Sequence, residues 1–167
     1  MAKDFKMIAK TFYGFEEILA EELLALGAQK IIKGNRNVSF YGDKGFLYKS
    51  NLSLRTALKI LKPLCEFRFK DINEYYDKIY SFKWEDYLDP TGSFLINSVV
   101  FHSNVFNNSK FTSLKAKDAI VDRLRDKFNK RPSVNSFNPE IRIEIHVSRN
   151  SCTISLDSSG ESLHKRG

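Results

Sequence analysis

The side chains of this sequence best suited to chemistry are basic ones. Lys110, Lys115 and Lys117 fall close together with Ser113 between them, and Asn107, Asn108, Ser109 and Thr112 crowd the same stretch. Ammonium groups bind phosphate as compact charges, and hydroxyls and carboxamides add neutral donors. A helix starting near Lys110 adds its first free N–H groups, which form an anion site. Arg131 and Arg149 extend the candidate surface. At 100° per residue, Leu114, Val121, Leu124 and Phe128 make one apolar stripe with Lys117 inside it. Either the core ends there and Lys117 reaches water along its stem, or its ammonium projects to a phosphate. Taken singly each of these is an ordinary solvated charge; the cluster is what points to a polyanion.

Catalytic chemistry has little to stand on. His102, His146 and His164 are scattered singly, and the eight glycines form neither a GxGxxG loop nor a phosphate-binding loop. Asp89-Pro90 is followed by Thr91, so no Asp-Pro-Pro-aromatic element exists. No serine or cysteine stands in a nucleophile-elbow context. Cys65 and Cys152 have no CxxC and no histidine at ligand spacing, so they are expected as buried hydrophobes, with no metal and no disulfide. The chain is expected not to be an enzyme on its own.

The bulk numbers fit a folded binder. The chain has 167 residues, 42% hydrophobic and 28% charged, enough for one good core or two small ones. Its net charge of +7 is unevenly placed. Residues 1–62 carry 11 basic and 6 acidic side chains, 63–100 carry 4 and 7, and 101–167 carry 12 and 7. Such a chain attracts polyanions, nucleic acid above all; the plainer reading is that +7 only keeps it in solution. No apolar run approaches the roughly 20 residues that span a bilayer, and the basic start lacks an apolar stretch behind it. A cytoplasmic protein without a membrane partner is expected.

Several elements must position these side chains. Residues 5–12 read as a strand. Phe15, Ile18, Leu19, Leu23 and Leu26 recur at helical spacing up to Gly27, a good stop. Ile31–Ile32 and Val38–Tyr41 flank Gly34-Asn35-Arg36-Asn37 as a hairpin. A helix over 43–52 and an apolar run over 54–69 complete β-α-β-β-α-β, the ferredoxin-like order, although 55–62 could equally be helical. Residues 71–82 read as a helix, 84–88 as a turn, 94–101 as an interior strand apolar on both faces, and 110–130 as the longest helix. From 140 to 148, Ile141, Ile143, Ile145 and Val147 alternate with Arg142, Glu144 and His146, and a turn at Arg149-Asn150 leads into 153–157.

Longer runs carry a resemblance. KTFYGFEEILAEELLALGA, NVSFYGD and NSKFTSLKAKDAIVDRLRDKF, with RPSVN and PEIRIEIHVSRNSCTISLDSSGESLHKRG, are similar to the N-terminal part of bacterial guanine-N2 methyltransferases acting on 23S ribosomal RNA. The resemblance covers essentially the whole chain. It implies an α+β fold, a ferredoxin-like N-terminal subdomain packed on a THUMP domain, with a mixed sheet and helices. The expected divisions are 1–68, the ferredoxin-like part; 69–160, the THUMP domain; and 161–167, the start of a linker. It implies RNA as partner, 23S ribosomal RNA first and tRNA second, and a covalently linked methyltransferase domain using S-adenosylmethionine that this chain lacks, so no cofactor is expected here. On the matching motifs it places RNA contacts at Lys110, Ser113, Lys115, Lys117 and Arg131. A THUMP module of a tRNA-modifying enzyme and a protein–protein module without an RNA role are the alternatives.

Overall fold

The computed structural model describes residues 3–135, 137 and 139–158, which form two compact units. The first comprises the chain to Pro63 and, after a long excursion, Asp157 and Ser158; the second runs from Leu64 to Leu156.

The first unit has the order β1 (Phe5–Lys10), α1 (Glu16–Leu26), β2 (Gln29–Gly34), β3 (Asn37–Gly42), α2 (Lys44–Ser53) and β4 (Lys59–Arg68), whose residues beyond Pro63 count with the second unit. The strand order β2-β3-β1-β4 is antiparallel throughout. Alternation sends Met7 and Ala9 of β1 and Val38 and Phe40 of β3 to one face, where Leu19, Leu23, Ala28 and Ile60 join them. Helix α1 stops where expected, because Gly27 turns left-handed (φ 103°) and returns its N–H to the Leu23 and Leu24 carbonyls. The Asp43 carboxylate caps α2 by accepting from the Phe46 amide at 2.8 Å. The run over 55–62, open between helix and strand in the sequence, becomes β4 from Lys59. Glu22 ties down the approach to it, accepting from the Arg55 and Thr56 amides (2.9 and 3.0 Å) and from the Thr56 hydroxyl. Burial alone would raise the Glu22 carboxyl, but the Thr56 hydroxyl and those two amides together hold it below the usual carboxylate range.

The second unit continues with α3 (Ile72–Tyr80), a 3₁₀ turn at Trp84–Asp86, β5 (Ser93–Phe101), α4 (Ser109–Phe128), β6 (Ser133–Val134), β7 (Ile141–Ser148) and β8 (Ser151–Asp157). Its sheet runs β4-β8-β7-β5-β6. β5 pairs in parallel with β7 over its length from Phe94 to Phe101, and β7 pairs antiparallel with β8. The alternation of β7 holds: Ile143, Ile145 and Val147 are buried, with Phe94, Cys152 and Ile154 beside them. Tyr75, Ile79 and Trp84 close the core from α3 and the turn behind it, and Ala116, Ala119, Ile120 and Leu124 close it from α4. Tyr75 donates its hydroxyl to the Thr112 carbonyl and Trp84 its indole N–H to the Ile79 carbonyl, at 2.9 and 2.7 Å, so both buried polar tips are satisfied. Burial pushes the Cys65 thiol up to about 11 and the Cys152 thiol higher still; both cysteines behave as small hydrophobes.

Strand β5 departs from the interior strand expected. On its outer side β6 covers only Ser93 and Phe94, and Val99 and Phe101 are exposed on the face away from the helices.

Candidate nucleic-acid interface

Helix α4 begins at Ser109 because Asn108 caps it: its Oδ1 accepts from the amides of Lys110 (2.7 Å) and Phe111 (3.3 Å). Those amides are therefore not free for an anion. Thr112 is buried with its hydroxyl on the Asn108 carbonyl, and Ser113 shares a 2.6 Å hydrogen bond with Ser98 of β5. Of the neutral donors expected around the helix start, Asn107 and Ser109 remain on the surface, lining a shallow hollow with His102 and Ser103.

The apolar stripe drawn on the sequence is rotated from the face that packs. The buried residues of α4 are Thr112, Ala116, Ala119, Ile120, Val121 and Leu124, whereas Leu114 and Phe128 stay 48% and 41% exposed. Small side chains let the helix approach the sheet closely, so the largest apolar residues do not mark its inner face. Lys117 consequently lies beside the core, with its ammonium 2.9 Å from the Asp118 carboxylate.

The three lysines do not share one face. Lys110 and Lys117 are seven residues apart and fall within about 20° of each other; Lys115, two residues before Lys117, lies about 160° away. The Lys115 ammonium stands 5.8 Å from the Phe111 ring. Arg131 follows the C-terminal end of the helix, where Asn129 turns left-handed (φ 57°), about 30 Å from Lys110 along the axis.

The two ends of α4 differ in how their cations are matched. Near its C-terminus Arg123 makes two 2.8 Å hydrogen bonds to Glu85, Lys127 reaches the same carboxylate at 2.9 Å, and Arg125 pairs with Asp122 at 3.0 Å. The Arg123 guanidinium, with Lys127, holds the Glu85 carboxyl far below the usual range against the opposing effect of burial. Near its N-terminus Lys117 pairs with Asp118, whereas Lys110 and Lys115 have no carboxylate partner among the described residues. Arg149 occupies the two-residue turn between β7 and β8 at φ 57° and lines a cleft of about 510 Å³ with Arg68, His102, Asn104 and Asn150. The side chains of Arg68, Lys110 and Arg149 have no carboxylate partner among the described residues. His102 lines both this cleft and the hollow at the α4 start. The cleft lies beyond the C-terminal ends of the parallel strands β5 and β7, where α/β sheets commonly seat ligands.

Arg149, expected from the sequence, is thus grouped with Arg68, His102, Asn104 and Asn150, none of which had been singled out as a binding residue. Local sequence carries no signal for this grouping, because it depends on β4 lying beside β8. The one available hint was a basic residue at a strand end and another in a tight turn.

Comparison with known proteins adds the family context. The THUMP domain model matches residues 69–157, and the model of the RlmL ferredoxin-like domain matches residues 6–61. The chain is 36% identical over all 167 residues to a protein of Syntrophotalea carbinolica named ribosomal RNA large subunit methyltransferase K/L, and it spans 23% of that relative's length. A protein of the same name in Cellvibrio japonicus is 39% identical over 154 residues, 92% of this chain and 20% of the relative. A solved structure from Clostridium difficile 630, described as a possible methylase, superposes with a TM-score of 0.81 at 26% identity, covering 99% of this chain and 44% of that one.

Proposed function

The chain belongs to the THUMP-domain family, and from that premise we propose that it captures structured ribosomal RNA for methylation by a catalytic domain lying outside this sequence. The observation that carries the reading is the similarity over all 167 residues to ribosomal RNA large subunit methyltransferases. The unmatched cations at one end of the second unit give it a physical basis. Lys and Arg side chains neutralise phosphates and release counterions, and such contacts set the register and orientation of the RNA.

In this reading 23S ribosomal RNA is the first partner and tRNA the second, in the cytoplasm. A covalently linked domain transfers a methyl group from S-adenosylmethionine to a guanine N2. The loop after the first strand, where such a cofactor would need a close backbone approach, does not fit it. The loop between β1 and α1 carries one glycine, Gly14, whose N–H is already taken by the Glu16 carboxylate at 2.8 Å, so an anion there would meet a negative charge. The work assigned to this chain is binding: Lys110, Arg68 and Arg149 hold the RNA backbone, and Lys117 and Arg131 contribute at a distance.

Competition binding across a salt series tests this, using a large-subunit rRNA fragment, a tRNA and an RNA duplex. The expected result is affinity that falls steeply with salt and favours the rRNA fragment. Preference for tRNA would reassign the partner. Absence of binding to all three at low salt would remove the reading and leave a protein–protein module.

A further inference from the structure

Strand β5 has an edge that the described part of the second unit leaves uncovered. Its parallel ladder to β7 uses the odd-numbered residues, since the Arg149 amide donates to the Phe101 carbonyl at 2.8 Å. The even-numbered residues turn their N–H and C=O groups the other way, where the Ser133 and Asn135 amides donate to the Gly92 and Phe94 carbonyls. Beyond Phe94 that side is open: among the described residues no backbone group bonds outward to Ile96, Ser98 or Val100. We propose that this edge is an interface between two copies of the chain, paired antiparallel about a twofold axis at Ser98.

The edge strand of a monomer is ordinarily blunted by a charge, a proline or a bulge. Residues 95–101, Leu-Ile-Asn-Ser-Val-Val-Phe, carry neither charge nor proline, and their register with β7 runs without a break. Such a segment is protected only when another strand covers it. A copy of the same segment fits best. The open stretch is bounded at one end by Asn135 on Phe94 and at the other by His102, left-handed at φ 51°. Ser98 is its midpoint, so a twofold there uses the whole stretch and directs both obstructions outward. It opposes Ile96 to Val100 and Ser98 to Ser98, each pair exchanging two N–H···O bonds.

The side chains suit the same register. On the face away from α4, Val99 falls opposite Asn97 and Phe101 opposite Leu95, which covers the two exposed apolar residues of β5. The even-numbered side chains face α4, where Ser98 bonds Ser113. On that side Ile96 of the second copy comes to the hollow of about 470 Å³ that Val100 lines with Phe106. No pair in this register opposes like charges, whereas a charged strand laid on this edge would lose water and gain no counter-charge. Twofold pairing of one patch with itself is also the commonest form of association.

The remaining surface sets the response to salt. Two chains of net charge +7 repel, and ions screen that repulsion. Self-association therefore strengthens with salt, whereas the RNA binding proposed above weakens with it. The two readings share no residue, and neither depends on the other.

Sedimentation velocity on the nuclease-treated 167-residue chain, over a wide range of protein and salt concentrations, tests the interface. A monomer–dimer equilibrium that tightens with salt is expected. Val99→Lys sets two ammoniums ~7–8 Å apart on the diagonal of the pair. It is expected to weaken dimerisation at least about tenfold with the melting temperature unchanged. Asn97→Lys adds the same charge at an exposed polar position and is expected to act alike. The double variant Asn97→Glu, Val99→Lys opposes unlike charges twice across the twofold and is expected to restore the dimer. A chain that stays monomeric at every concentration and salt overturns the proposal and leaves the edge to a strand of another protein. A dimer that survives both lysine variants, or one that the double variant does not restore, overturns it equally. A chain that dimerises as expected but binds no RNA overturns only the RNA reading.

Discussion

Arg149 is held at φ 57° in a two-residue turn with no partner for its guanidinium among the described residues. An L-residue in that conformation costs roughly 1–2 kcal/mol, and glycine avoids the cost while giving back about 0.5–1 kcal/mol in unfolded-chain entropy. Arg149→Gly should therefore keep or slightly raise the melting temperature, while RNA affinity falls and its salt slope loses about one unit. Arg149→Ala should lose the same binding without the thermal gain. A fall in melting temperature for the glycine variant would show instead that the guanidinium supports the fold.

At the scale of the element, α4 is a helix whose two ends do different jobs. Its C-terminal half is fastened to the 3₁₀ turn by Glu85, which receives Arg123 and Lys127 with only 15% of its side chain exposed. Arg123→Met leaves that carboxylate without its main partner and should cost about 2–3 kcal/mol, read as a lower urea midpoint at neutral pH. The Glu85 carboxyl is depressed by Arg123 in the folded state. The stability it contributes is therefore present above its unfolded value, near 4.5, and is lost as pH falls from there toward its low folded value. Glu85→Gln should be less stable than the parent at neutral pH and should converge with it on acidification; a constant gap would contradict the assignment. At the N-terminal end, Lys110→Ala should shallow the RNA salt slope by about one unit and Lys115→Ala by less, since the two point to different sides of the helix. Equal effects would place the RNA over the helix start as a whole. The elements themselves were legible in the sequence. Gly27 ended α1, Asn35-Arg36 turned the hairpin, and β7 alternated as it must. The inward face of α4 was not legible, because Thr112, Ala116 and Ala119 pack there by being small, while the eye is drawn to Leu114 and Phe128. The cleft was not legible for another reason: Arg68 and Asn150 come together through strand pairing across about half the chain, which no local pattern encodes.

At the scale of the whole molecule, each unit has its own core, and the chain passes between them twice, at Pro63–Leu64 and Leu156–Asp157. Ser158 completes the first unit. Its amide and hydroxyl both donate to the Ile60 carbonyl, at 2.9 and 2.7 Å, and its hydroxyl accepts from the Asn51 carboxamide at 3.2 Å. Ser158→Ala removes the two hydroxyl bonds and should cost about 1 kcal/mol. The expected signature is faster amide hydrogen exchange in β1 and the first half of β4, with β5 and β7 unchanged; uniform acceleration would mean that the two cores open together. This return of the chain also sets an order in time. During synthesis the first unit's two helices and most of its sheet are made early, but Ser158 follows only after the whole second unit. At roughly 5–20 residues per second the delay amounts to seconds. For that interval the ferredoxin-like half waits, unsealed, for the THUMP half to be made.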